Sequence, residues 1–215
     1  MDTIVLLRWV ATHEPSKSEE AFASLTSSDI HYPALLRSLK IAEKMPLTFW
    51  ALRILVQNFP TLLQRDASQA IPLVMNCLVR GDGPVCDSAA WALNIIGKPA
   101  LEALLLNIRT TPDTAATVRY IGALRSNSSL YASAKEVIAL LLSKLDSPDE
   151  EVQYWALIVL MDSSPLRPWF DNHLKKRDFE QIYGRLLTAA NRLVTQKQFN
   201  FALMYIELLE KHLAA

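Results

Sequence analysis

Residues 146–160 read DSPDEEVQYWALIVL. After Pro148, apolar or small residues follow from Val152 to Leu160 at the spacing i, i+4, i+7 and i+8. This spacing places them in one stripe along an α-helix. Proline suits the first helical turn, because its fixed φ matches the helix and its missing N–H would have no partner there. The segment therefore predicts a helix that starts at Pro148 and buries one stripe.

Three further segments repeat this shape, with prolines that recur after 38, 28 and 36 residues. They are residues 46–55 (PLTFWALRIL), 84–93 (PVCDSAAWAL) and 112–124 (PDTAATVRYIGAL). In the third, either Tyr120 or Gly122 takes the place that Ala89 has in the second. An apolar segment precedes each copy, at residues 33–39, 71–78, 101–108 and 137–145. We predict a run of antiparallel helix pairs over residues 31–164.

The helix starts and the two ends of the chain carry separate expectations. Thr111 and Ser147 are predicted N-caps, and Ser147 with Glu150 has the spacing of a capping box. Residues 1–30 are expected to form N-terminal cap helices at 2–11 and 18–27. Residues 165–215 are expected to form C-terminal capping helices at 178–195 and 198–213. We expect one domain over residues 1–215.

The pattern Val-x-x-x-Ala-x-x-Ala-Leu resembles the second helix of a HEAT repeat. Residues 85–93 and 152–160 match it best, and the turn at 146–152 is similar to the inter-helix turn of that family. The resemblance covers about residues 31–164. An arginine often follows the valine in the family, whereas Cys86 and Gln153 stand there in this chain. The resemblance implies an all-α fold, an α-solenoid (armadillo-like) of antiparallel helix pairs wound into a superhelix.

The resemblance also implies that the second helices line a concave surface. Tryptophans on these helices would offer rigid contact area of the kind that dominates protein interfaces. The alternative is that each tryptophan packs between helix layers. Under the first interpretation we expect a scaffold that binds a partner protein without catalysis. Its candidate partner-binding residues are Trp50, Arg53, Asp87, Trp91, Asn94, Arg119, Gln153 and Trp155.

Composition and motifs argue against several other functions. The formal net charge is zero, so we do not expect nucleic acid as the partner, since phosphate binding draws its affinity from cationic residues. The four histidines and two cysteines lack metal-ligand spacing, and the chain has no phosphate-binding glycine loop and no nucleophile elbow. We therefore expect no metal, no cofactor and no enzymatic activity.

Two enzymatic alternatives stay open, because catalytic HEAT-like proteins of this size exist. One is an alkylpurine DNA glycosylase, in which tryptophans and Asp87 would face the departing base. The other is a bilin lyase. A basic run at 173–177, with Arg185 and Arg192 beyond it, could contact phosphate or an acidic protein, but we favour the ordinary explanation of a solvated helix start and polar face.

The chain carries no sign of export or membrane insertion. Asp2 stands where a signal peptide has basic residues, and no apolar run reaches the roughly 20 residues that cross a bilayer. Cys77 and Cys86 are too few for a disulfide framework, so we expect both to be small apolar core residues. The expected location is the cytoplasm, with no membrane partner.

Overall fold

The computed structural model describes residues 2–12, 15–40, 45–125 and 127–162, and the single positions 166, 184, 185, 188 and 191. Within these residues all regular structure is helical, with eleven α-helices, two 3-10 segments and no strand. The all-α prediction is therefore confirmed for the described part of the chain. Of the predicted C-terminal helices, 198–213 lies outside the described residues, and 178–195 is described only at the four positions from 184 to 191, which are helical.

The chain divides into two compact units, residues 1–103 and 104–215. The first unit contains α1 to α7, and α8 contains the boundary. The helices of the first unit are α1 (Thr3–Ala11), α2 (Pro15–Thr26), α3 (Tyr32–Ser38), α4 (Met45–Asn58), α5 (Pro60–Arg65), α6 (Ala67–Arg80) and α7 (Gly83–Ile96). They are followed by α8 (Lys98–Thr110), α9 (Ala115–Leu124), α10 (Ala134–Lys144) and α11 (Glu150–Asp162). The 3-10 segments are Asp29–His31 and Ser128–Ser133.

In the first unit, each apolar helix packs on the next proline-initiated helix. Helix α3 contacts α4, and α6 contacts α7. The proline-initiated helices α4 and α7 also contact one another, and α1 packs against both α2 and α4. The stripe residues Ala51 and Ala89 are fully buried. Because alanine projects only one methyl group, its burial at these two positions lets a neighbouring helix approach closely.

The residues of the turn before α7 each have a role in starting the helix. The carboxylate of Asp82 accepts a hydrogen bond from the Val85 backbone N–H at 3.2 Å, so Asp82 is the N-cap, and Pro84 lies in the first turn as predicted. A β-carbon at Gly81 would lie 2.5 Å from Val85 Cγ1, so only glycine fits. Gly97 ends the helix with φ 82°, a conformation that costs little only without a side chain.

Helix α5 was not predicted. Pro60 starts it, and the Tyr32 hydroxyl donates a hydrogen bond to the Leu62 carbonyl at 3.0 Å. The Tyr32 ring also meets Phe59 edge to face, with centroids 6.0 Å apart. Burial, and secondarily the charge of Asp66, raises the pKa of Tyr32 to about 12. These contacts tie α5 to α3 and explain why six residues without strong periodicity form a helix.

In the second unit, α11 packs against both α9 and α10. The predicted caps are wrong here. Asp149, not Ser147, caps α11, because its Oδ1 accepts from the N–H groups of Glu151 and Val152. The helix starts at Glu150, so Pro148 precedes it by two residues. Likewise α9 starts at Ala115 with Thr114, not Thr111, at its N-cap.

Candidate functional site

The predicted partner-binding residues are distributed over both units. The first unit holds Trp50 and Arg53 on α4 and three residues on α7, namely Asp87, Trp91 and Asn94. The second unit holds Arg119 on α9 and two residues on α11, Gln153 and Trp155. Each group is therefore described within its own unit.

The main feature of the first unit is a contact between Arg53 and Trp91. The guanidinium carbon of Arg53 lies over the Trp91 ring, 5.0 Å from its centroid. A cation over an indole face is attracted by the negative charge of the ring face, and tryptophan is the most favourable aromatic residue for this contact. The Trp91 side chain is nevertheless 38% exposed. The contact therefore joins α4 to α7 and leaves part of the indole open to solvent.

Phe49 completes this group and was not among the predicted binding residues. The Arg53 guanidinium lies 6.0 Å from the Phe49 ring centroid, and Phe49 meets Trp50 edge to face at 5.4 Å. Both rings are half-buried. The i, i+4 spacing of Phe49 and Arg53 puts them one turn apart on the same side of α4 and could have revealed the pairing. Phe49, Trp50, Arg53 and Trp91 are called the α4–α7 aromatic group below.

Two polar residues share the side of α7 on which Trp91 lies. Asp87, Trp91 and Asn94 follow the i, i+4, i+7 spacing of one helix side. The Asp87 side chain is exposed, and Asn94 is half-buried. The predicted residues of this unit thus lie on two adjoining helices, and an exposed carboxylate stands one turn from the open indole.

The tryptophan of the second unit is in a different environment. The six-membered ring of Trp155 packs over Gly122 of α9, where an added β-carbon would lie 3.5 Å from the ring. Trp155 also meets Tyr154 edge to face at 6.0 Å and is half-buried. Arg119, on the same helix as Gly122, is half-buried. The indole of Trp155 therefore lies close to the backbone of α9 at Gly122.

Gln153 lies in the interior. Its side chain is only 3% exposed, and its amide donates a hydrogen bond to the Ser147 carbonyl oxygen. A side chain in this position ties α11 to the turn that precedes it. We therefore leave Gln153 out of the surface proposed below.

An ion pair joins the end of α10 to the loop before α9. Lys144 Nζ lies 2.5 Å from Asp113 Oδ1, with side chains 14% and 17% exposed. Burial by itself would raise the pKa of Asp113, but hydrogen bonds from Lys144 and Ser147 outweigh burial and lower it. Arg185 donates to the Leu142 carbonyl at 2.8 Å and to Asp146. The loop before α9 is thus joined to the loop before α11.

Both cysteines are free thiols, and they differ in burial. Cys77 is fully buried, as predicted, whereas Cys86 is half-buried and its thiol contacts the Leu78 carbonyl oxygen. Burial, with a smaller effect of Cys86, raises the pKa of Cys77 to about 11. A thiol with such a pKa is almost entirely protonated at neutral pH and is therefore a poor nucleophile.

An open depression of about 660 Å³ lies near the start of the first unit. The side chains of Thr3 and His31 meet there, with 3.0 Å between Thr3 Oγ1 and His31 Nδ1. Ile30, which is 76% exposed, and Arg37 also line it. None of the predicted partner-binding residues lines this depression. It is therefore separate from the α4–α7 aromatic group.

The described residues contain neither a metal-binding cluster nor a membrane-spanning helix. Within this part of the chain, no group of three or more His, Cys, Asp and Glu side chains is arranged to hold a metal ion. The described helices include none with the length and apolar character needed to cross a bilayer.

A comparison with protein-family models finds no match for this chain, and a comparison with curated proteins finds none either. The HEAT resemblance therefore rests on the repeated residues of the sequence alone.

Proposed function

We propose that this protein is a HEAT-like, non-enzymatic module that binds a partner protein through the exposed side of its second helices. The observation that carries the proposal is the α4–α7 aromatic group. It places a partly exposed tryptophan and an arginine side by side on two second helices, and these are residue types enriched among binding hot spots.

The helix contacts support a HEAT-like arrangement within each unit. First and second helices pack as α3 with α4, as α6 with α7, and as α10 with α11. Second helices also contact second helices, as α4 with α7 and as α9 with α11. Repeat arrays have this property, because each pair is stabilised by its neighbour rather than by one central core.

The composition of the α4–α7 aromatic group supports binding rather than catalysis. Removing water from the open side of Trp91 would stabilise a complex through the area buried, and the indole already has a fixed neighbour. Because Arg53 holds one side of the ring, little conformational freedom is lost when a partner covers the rest. The cytoplasmic location expected from the sequence is part of the same proposal.

A quantitative pull-down from a cell extract tests this function. Trp91→Ala should reduce the recovery of direct partners at least about tenfold, as truncating a hot-spot residue does. Ile30→Ala is the matched control, since Ile30 is the more exposed apolar residue of the same unit and lies outside the aromatic group. It should leave recovery unchanged.

The comparison needs a folded variant. Far-UV circular dichroism and the urea midpoint should show Trp91→Ala to be folded, because the residue is partly exposed. Equal recovery of every partner by wild type, Trp91→Ala and Ile30→Ala would refute binding through this surface.

A further inference from the structure

The charge of the α4–α7 aromatic group restricts which partner it can accept. Within the described part of the chain, Arg53 contacts the rings of Phe49 and Trp91 and forms no hydrogen bond or ion pair. A guanidinium carries five N–H donors. An aromatic ring face does not accept hydrogen bonds from them as a carboxylate does. The donors of Arg53 are therefore available to a bound group.

The neighbours of Arg53 favour a particular kind of group. A planar carboxylate accepts two parallel N–H bonds from a guanidinium, and such bonds strengthen where water is excluded. Trp91 provides apolar area directly beside these donors, with 38% of its side chain still exposed. A carboxylate next to an apolar side chain matches both parts at once.

We infer that the α4–α7 aromatic group binds a short acidic peptide segment, with an Asp or Glu carboxylate on Arg53 and an adjacent apolar side chain on the open part of Trp91. This inference rests on the proposed function and specifies its partner. Arg53 is the only Lys or Arg in helices α4 and α7. One cation suits a single peptide carboxylate, whereas the row of phosphates in a nucleic-acid strand needs several.

Replacing Asp87 should change the affinity for an acidic peptide in a direction that can be measured. Its exposed carboxylate lies one turn from Trp91 and forms no ion pair with any described residue. A like charge at this range weakens the binding of an acidic peptide modestly in a solvated site. Asp87→Asn should therefore strengthen binding about twofold, whereas the same change would weaken the binding of a basic peptide.

The test is selection from a displayed library of short random peptides against the full chain, followed by affinity measurement on the enriched sequences. Peptides enriched by the wild type should share Asp or Glu beside an apolar residue. Arg53→Gln should weaken their binding at least about tenfold, and Arg53→Lys about fivefold, because lysine keeps the charge but loses the two-pronged geometry. Arg80→Gln is the charge-matched control. It should have no effect, since Arg80 is an exposed residue at the C-terminal end of α6 and is not part of the α4–α7 aromatic group.

The outcomes separate this inference from the proposed function. Enriched peptides that depend on Trp91 but lack acidic residues would overturn the inference and leave the proposed function standing. Peptides that bind Trp91→Ala and Arg53→Gln as well as the wild type would overturn the inference and count against the surface itself. The absence of any enriched peptide would also overturn it, and the pull-down would then decide the function. Tight binding of a labelled single-stranded oligonucleotide that depends on both residues would assign the site to nucleic acid instead.

Discussion

Asp113 and Lys144 form the most enclosed ion pair among the described residues. Its contribution to the free energy of unfolding should depend on pH. Hydrogen bonds from Lys144 and Ser147 overcome burial and lower the pKa of Asp113 below its ordinary value. A carboxyl group with a lowered folded-state pKa stabilises the fold at pH values above its unfolded pKa, near about 3.9. That stabilisation is lost as the pH falls through the folded-state value.

Replacing Asp113 by Asn should therefore reduce the free energy of unfolding by about 1–2 kcal/mol at pH 7, since the pair is mostly enclosed but not fully desolvated. The difference between wild type and variant should stay constant down to about pH 5 and then shrink below about pH 4. Urea unfolding across this range measures it. A difference that grows as the pH falls would mean that the carboxylate is not stabilised by Lys144.

The eight candidate residues show the limits of assigning exposure from sequence. Trp50 and Trp155 stand immediately before the small stripe residue of their helices, at Ala51 and Ala156. Both are half-buried, Trp91 is exposed, and Gln153 is interior. Helical spacing gives the side of a helix on which a residue lies. It does not say how closely a neighbouring helix or turn covers that side.

Small side chains are buried on both α4 and α7. Ala51 on α4 and Ala89 on α7 are both fully buried. Periodicity predicted this stripe, because a small residue recurs at the same place in two repeats. The exact helix starts were less predictable, since both Ser147 and Asp149 can cap α11. In the structure Asp149 accepts hydrogen bonds from two of the free N–H groups of the helix.

Ala89→Leu should destabilise the first unit by about 1–3 kcal/mol, because the added atoms must displace a well-packed helix contact. Ala90→Leu, one position along the same helix, is the matched control. Ala90 is half-buried, and its replacement should change stability by no more than about 0.5 kcal/mol. Thermal and urea unfolding compare the two. Similar losses in both variants would show that Ala89 is no more closely packed than Ala90.

The charge balance of the entire chain bears on the DNA glycosylase alternative. Lys and Arg together number 22, as do Asp and Glu, so the formal net charge is zero. Duplex DNA binding relies on neutralised phosphates and the release of their counterions. We therefore expect no change in the fluorescence anisotropy of labelled duplex DNA at low salt and micromolar protein. Saturable binding that weakens steeply with added salt would restore that alternative.

The amino-acid sequence alone was sufficient to predict where most helices lie, because helix formation depends on residues close together in the chain. Apolar spacing located most of the described helices, and Pro84 marked the first turn of α7. These features follow from contacts within a few residues, since backbone hydrogen bonds and stripe residues repeat every turn.

Folding in three dimensions was needed for the rest. Arg53 and Trp91 are 38 positions apart, yet the guanidinium lies over the indole because α4 and α7 pack together. The Trp155 ring contacts Gly122, 33 positions earlier, because α11 packs on α9. Which side chains remain open depends on distances between segments far apart in the chain, and no local spacing rule contains those distances.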